Sequence, residues 1–474
     1  MDAAVVGSGP NGLAAAIVLA QAGLKVVVHE AAATAGGGLH SSELTLPGFV
    51  HDVCSAVHPF ALVSPFFTSL PLKQHGLDWI EPPVQLAHPF DEGAAAVIYR
   101  SLDRTARDLG RDERGYRRTI GWTAENWPKL SDGLLGPLRF PAHPWAMAAF
   151  GLSALDSIDR VSSRAFRTGE ARALVAGIAA HGMLSFDTRP SAGVALTLGA
   201  LAHVAGWVIP RGGAQRVTDA LVAHLRSLGG EVRVNSRVTS VDDLAPARVI
   251  MCDVSPRPFL AIAGHRLPEP YKEKLQRYRY GMGVFKVDWA LDAPIPWRAE
   301  ACAKAATVHL GGSYEELAAS ERDAWQGRTN ERPFVIITQP SLFDDSRAPR
   351  GSHTAWGYCH VPHGSTADML PVIERQVERF APGFARHVVA RHVLMPADLE
   401  RMNANLVGGD IASGVTDLAQ LFTRPTRSTY STPVKGLYLC SAATPPGVGV
   451  HGMCGYHAAR KALNDLKVRA YSPA

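Results

Sequence analysis

The chain opens with Ala3-Ala4-Val5-Val6-Gly7-Ser8-Gly9-Pro10-Asn11-Gly12-Leu13, and the reading of this stretch decides the fold. Ala3–Val6 is an unbroken apolar run of the kind found in strands buried on both faces, and Gly12–Ala22 is a run of small residues suited to a closely packed helix. Gly23 stands where a glycine ends a helix, and Lys25–His29 forms a second strand around Val26, Val27 and Val28. Between strand and helix the residues spell G-x-G-x-x-G. In a strand–helix–strand unit the first glycine permits the tight turn, the second lets backbone approach a pyrophosphate, and the third lets helix and sheet pack closely. The free N–H groups and the dipole of the helix start then favour phosphate. Glu30 closes the second strand, where a carboxylate accepts hydrogen bonds from ribose hydroxyls and repels a 2′-phosphate, so NADP is not expected. A βα turn without a ligand is the plainer alternative; strand, helix and terminal acid together favour a dinucleotide.

Beyond this unit, Ala35-Gly36-Gly37-Gly38 lacks Cβ obstruction and would let a long ligand run on past the pyrophosphate, unless it is only a flexible turn. Two distant segments share the α/β pattern. In Gly212–Asp253 a helix carries Val217, Leu221, Leu225 and Leu228, an alternating strand carries Val232, Val234 and Val238, and Val249–Cys252 is a second apolar run. In Gly436–Leu466, Leu437–Cys440 is a short strand, Ser441–Gly449 a loop, and Ala458, Ala459, Ala462 and Leu466 lie along a helix. The predicted fold is therefore α/β, a Rossmann-like domain assembled from the discontinuous segments 1–70, 211–265 and 425–474. A second, α+β domain is expected from 71–210 and 266–424.

With 474 residues, 46% of them hydrophobic and 19% charged, the chain suits two lobes and is neither disordered nor a coiled coil. A net charge of +5 spread over this length gives no reason to expect nucleic acid. The six cysteines include no CxxC or CxxxxC pair, so neither a zinc site nor a redox-active disulfide is expected. His360 and His363 near Cys359 lack a fourth ligand, and no metal is expected there either. Ala3–Val28 is apolar enough to imitate a leader or a membrane span, yet Asp2 precedes it and Gly7, Gly9, Pro10 and Gly12 break it. A cytoplasmic protein is expected, with peripheral contact to a membrane as an option. Tyr99–Thr119 is expected to be a helix with a solvated arginine-rich face, and Pro144–Leu155, with Trp145, Phe150 and Leu152, to be core.

The opening motif, with Glu30 and Gly36–Gly38, resembles the FAD-binding start of phytoene desaturase-type flavoproteins, within the amine-oxidase-like superfamily. Within them it resembles the branch related to pyridine nucleotide-disulfide oxidoreductase domain-containing protein 2. The resemblance continues through His51–Pro59, Gly206–Gly213, Gly408-Gly409-Asp410, Gly436–Cys440 and Gly447–Gly455. It implies an FAD-dependent oxidoreductase with a flavin lobe and a substrate lobe. Carried onto this sequence, it assigns the ADP half of FAD to Gly7, Ser8, Gly9, Gly12 and Glu30, and the backbone of Val238 to the adenine. Gly36, Gly37 and Gly38 would pass the ribityl chain, and Ala442, Gly449 and Val450 would meet the ribityl chain and isoalloxazine. Ser441 and Ala443 stand where the family commonly has glycine, and Leu39 where a basic residue is frequent.

The expected chemistry is hydride transfer from a substrate C–H to flavin N5, with the helix start near His451-Gly452-Met453 stabilising charge on the reduced ring. His58, Tyr430 and His451 are the candidate catalytic groups, with a structural role the plainer reading of each. No second G-x-G-x-x-G unit follows, so reoxidation would fall to oxygen, a quinone or another acceptor. The substrate is expected to be a small apolar molecule. An amine oxidase and a flavin-dependent isomerase remain as alternatives, and outside enzymes a lipid- or prenyl-binding escort protein on the same fold.

Overall fold

The computed structural model describes residues 1–468. Two large sheets organise it, and in chain order their strands are β1 (Ala3–Val6), β2 (Val26–His29), β3 (Val84–Pro89), β4 (Ala95–Ile98), β5 (Glu231–Arg233), β6 (Val249–Cys252), β7 (Gly283–Leu291), β8 (Ala305–Leu310), β9 (Val335–Thr338), β10 (His353–Val361), β11 (Val388–Leu394) and β12 (Leu437–Leu439). The first sheet runs β12-β6-β1-β2-β5 with every pair parallel. The three segments that the sequence marked as α/β thus meet in one sheet. The alternation of side chains across a strand explains why they carry continuous apolar runs. Val5, Val249 and Met251 join the core under helices Pro10–Gln21, Gln215–Ser227 and Met453–Asp465, while Ala4, Val6, Ile250, Leu437 and Leu439 join a second core with Phe259 and Leu275 on the opposite face.

The alternating strand expected through Val238 is shorter than its pattern. Only Glu231–Arg233 is in the ladder, Val234 is exposed, and the chain then turns away with Asn235 at φ +51°. Strand pairing ends there because the neighbouring β2 itself ends at His29.

The second sheet runs β11-β7-β10-β9-β8-β3-β4, antiparallel except for the parallel β8–β3 pair. Phe285, Val287, Trp289 and Leu291 of β7 face a core closed by Ile373, Val377 and Phe380 of helix Leu370–Phe380. The other face of this sheet is covered in part by helices Gly169–Ala180 and Ser191–Val204 and in part borders a cavity. The fully buried Arg347 ties together segments far apart in the chain. It bonds Asp52, whose carboxylate also accepts from Ser41 Oγ and from the Ala214 N–H at the start of helix Gln215–Ser227.

Two expectations for the second lobe change. The span Tyr99–Thr119 is not one helix: Tyr99 follows β4, a helix covers Leu102–Asp108, a 3₁₀ turn starts at Gly110, and a π turn begins at Arg117. Gly110 with φ +53° interrupts the α-helical path, and the arginine face is solvated, with Arg117 paired to Asp103 and Glu113. Helix Pro144–Ala154 buries Phe150 and Ala154, but Trp145 is 86% and Leu152 84% exposed, so only one side of it is core. Its residues are apolar around the whole circumference, which a helix lying on the surface cannot bury.

Candidate functional site

At the β1 turn, Gly7 has φ +96°, a conformation open to glycine at little cost, and its N–H bonds the His29 carbonyl at 2.8 Å. A Cβ on Gly12 would overlap the Gly7 carbonyl oxygen, so the helix Pro10–Gln21 sits against the turn at a distance only glycine allows. The Glu30 carboxylate accepts from Ser8 N–H at 3.0 Å, from Ser8 Oγ–H at 2.6 Å and from Ala32 N–H at 2.9 Å. Ser8 Oγ in turn accepts from Gly36 N–H at 3.0 Å. One serine therefore locks turn, acid and glycine loop together.

A cavity of about 950 Å³ starts at this cradle, at the upper end of the ~300–1,000 Å³ usual for small-molecule sites. Its lining takes in Gly7, Ser8, Gly9, Glu30, Gly37, Gly38, Val238, Ala442, Gly449 and Val450, and also His58. These predicted positions, drawn from all three segments, are brought together. Gly12 and Gly36 lie behind the lining, as the packing and hydrogen bonds above require. The buried Asn11 Oδ1 has no protein partner beside the helix start. A glycine turn at a helix start, an acid at the end of β2, a glycine loop and an unpaired buried acceptor fit the ADP half of a dinucleotide.

Two of the three candidate catalytic residues lie elsewhere. Tyr430 is 5% exposed, donates its hydroxyl to the Pro445 carbonyl at 2.9 Å and stacks on His457, so it is core. The buried His451 packs edge-on against Phe60, and its Nδ1 accepts from Met453 N–H at 3.0 Å. The first N–H of the last helix, expected to serve a ligand, is thus capped by a side chain of the chain itself. His58 does line the cavity, with Nε2 3.1 Å from Ser55 Oγ, and burial lowers its pKa to about 4, leaving a neutral ring at physiological pH.

The structure adds groups that the sequence reading missed. Asp253 follows β6, lines the cavity, and accepts from Gly12 N–H at 2.8 Å through Oδ2. Burial first, and the charge of Glu30 besides, push its carboxyl well above the ordinary range, with the Gly12 N–H bond opposing the shift. On the opposite wall, strand register sets Lys286, Tyr358, Ile336 and His309 side by side across β7, β10, β9 and β8. Lys286 is 3% exposed and bonded to the wholly buried Asp288, whose carboxylate lies 3.6 Å from His51 Nδ1 and 3.7 Å from His392 Nδ1. Lysine and aspartate two residues apart in the otherwise apolar run Val284–Trp289 were the available signal. Among the described residues no cluster has a composition that would hold a metal, and no helix is long and apolar enough to cross a membrane.

Comparison with known proteins agrees with this geometry. Residues 5–66 match the NAD(P)-binding Rossmann-like domain family model. Pyridine nucleotide-disulfide oxidoreductase domain-containing protein 2 of Mus musculus is 27% identical, over 98% of this chain and 94% of its own length. The lycopene-forming phytoene desaturase of Pantoea ananas is 24% identical over 95% of this chain and 96% of its own. Among solved structures, putrescine oxidase bound to putrescine superposes with a TM-score of 0.60 at 16% identity, covering 99% of both chains. The G-x-G-x-x-G unit, the three-segment parallel sheet and these alignments agree, and the chain is similar over nearly its whole length to phytoene desaturase-type oxidoreductases.

Proposed function

We propose that the chain holds FAD along this cavity and oxidises a small, largely apolar molecule by moving a hydride from a substrate C–H to flavin N5. Electrons would pass on to oxygen, a quinone or another acceptor. The observation that carries the reading is the continuity of one cavity from the Gly7–Gly12 cradle and Glu30 to the wall of the second sheet. Bound there, FAD supplies a two-electron acceptor. Glu30, already oriented by Ser8, takes the ribose hydroxyls; the start of helix Pro10–Gln21 takes the pyrophosphate; Gly37 and Gly38 leave room beyond it. Ala442, Gly449 and Val450 close the far end, and Val238 the adenine end. On this reading the flavin lobe is 1–70, 211–265 and 425–474, and the substrate lobe is 71–210 and 266–424.

The second-sheet side supports an apolar substrate. Leu198, Trp207, Val284, Ile336 and Trp356 supply the wall and exclude water from the reacting bond. Lys286 places an ammonium there, partnered by Asp288, and repels a second cation, which favours an uncharged substrate over an amine. Neutral His58 can accept a proton or a hydrogen bond without first losing charge.

Purified protein is expected to be yellow or to become so with added FAD, and anaerobic addition of the right substrate is expected to bleach it. A panel of isoprenoids, fatty-acyl compounds and amines separates the substrate classes. Protein that cannot be loaded with FAD refutes the enzyme reading in favour of a lipid escort, and bleaching by amines alone refutes the apolar substrate.

A further inference from the structure

His181 directly follows helix Gly169–Ala180 and lines the cavity beside Trp207, whose ring it meets edge-on at 5.7 Å. Its Nε2 lies 3.0 Å from Nε2 of His309, so the two rings share one proton between these atoms. Which ring carries it follows from the other side of His309. That residue is fully buried on β8, and its Nδ1 has no partner. Nδ1 is pressed against the helix Gly169–Ala180 so closely that a Cβ on Gly177 would stand 2.7 Å from it. A buried N–H without an acceptor is rarer and costlier than a buried lone pair, and the glycine Cα–H contact suits a bare nitrogen. His309 therefore keeps Nδ1 unprotonated and donates Nε2–H to His181. With its Nε2 accepting, His181 carries its own proton on Nδ1, which has no hydrogen bond to protein.

Trp356 Nε1 on this wall is also buried without a partner, whereas two other polar groups are bonded. Thr338 donates to the Ala306 carbonyl, and Lys286 is bonded to Asp288. Burial first, and the adjacent His360 second, lower the pKa of His181 to about 3, so the ring stays uncharged through the physiological range.

We propose that His181, fixed in its Nδ1–H form by His309, is a specificity residue that recognises an acceptor oxygen, carbonyl or hydroxyl, on an otherwise apolar substrate. The inference rests on the cavity being the substrate site, as in the reading above. A pure hydrocarbon filling the same space would leave this N–H desolvated and unpaired, whereas a ketone or alcohol would satisfy it.

The test uses FAD-loaded protein titrated with 2-decanone and with 1-decene, followed by perturbation of the flavin spectrum. The ketone is expected to bind about tenfold more tightly, equivalent to ~1.4 kcal/mol. His181→Phe should abolish the preference, and His309→Phe should weaken it by freeing the tautomer. Equal affinities in the parent, or a preference that survives in His181→Phe, overturn the proposal. Histidine labelled with 15N gives a reading that needs no ligand: the His181 signals, assigned by their loss in His181→Phe, should show Nδ1 protonated and Nε2 bare. A proton on Nε2 overturns the proposal. If neither compound perturbs the flavin, the apolar-substrate reading fails, and the tautomer measurement still decides the assignment of His181.

Discussion

Lys286→Met is expected to be the most informative single change on the cavity wall. The parent pair is almost wholly buried, with Lys286 3% and Asp288 0% exposed, so the variant leaves a carboxylate in the interior without its cation. Removing one member of such a pair costs about 3–5 kcal/mol, a hundred-fold or more in the unfolding equilibrium. His51 sets the pH dependence, since its Nδ1 lies 3.6 Å from the same carboxylate. In the parent, burial lowers His51 to about 4, Asp288 opposes that shift, and Lys286 adds to it. Without Lys286 the attraction of Asp288 is unopposed and the folded-state pKa of His51 rises. The folded variant then takes up a proton that the folded parent refuses, so the variant gains stability relative to the parent as the pH falls. The loss should therefore be full at pH 8 and shrink towards pH 5.5. Urea unfolding followed by circular dichroism across this range measures it, with Lys286→Met/Asp288→Leu as the companion. That double variant removes both charges and should recover most of the loss. A single variant within about 1 kcal/mol of the parent at pH 8, or a double variant no better than the single, would refute the reasoning.

Three further outcomes follow from the same structure. Gly12→Ala should yield protein that retains no flavin colour after gel filtration, because the added methyl has no space beside the Gly7 carbonyl and displaces the helix start by an overpacking cost of about 1–3 kcal/mol. Asp253→Asn keeps an acceptor for Gly12 N–H but removes a carboxyl whose folded pKa is raised. Such a group binds its proton more tightly folded than unfolded, so parent stability falls as the pH rises above the ordinary carboxylate range. The fall is about 1.4 kcal/mol for each pH unit over which only the folded form keeps the proton. The asparagine variant should lack that slope and equal or exceed the parent at pH 8, as thermal melts at pH 5 and pH 8 would show. Trp145→Ser and Leu152→Ser, by contrast, should change urea stability by no more than about 0.5 kcal/mol, because both side chains are already in solvent; a larger loss would mean that this face is covered.

Much of the cofactor lobe was legible because its signals are local. A parallel strand buried on both faces needs a continuous apolar run, and Ala3–Val6, Val249–Cys252 and Leu437–Leu439 each have one. The tight turn at Gly7 and the helix contact at Gly12 leave glycines at fixed spacing. Periodicity failed where pairing depends on a partner: Val234 and Val238 keep the alternation of a strand after the ladder has lost its neighbour. Composition misjudged helix Pro144–Ala154 for a related reason, since an all-apolar sequence does not say how many of its sides the rest of the chain will cover.

What the sequence by itself determined, then, is the dinucleotide cradle and the composition of the sheet that holds it, because turn sterics and strand burial act over a few residues. Only the tertiary structure decided that Tyr430 and His451 are satisfied within the protein while Asp253, Lys286 and His181 face the cavity. The sequence distance between Gly12 and Asp253, or between His181 and His309, carries no signal of contact. Strand register and helix packing bring these groups within hydrogen-bond reach, and that proximity sets both their protonation and what they can recognise.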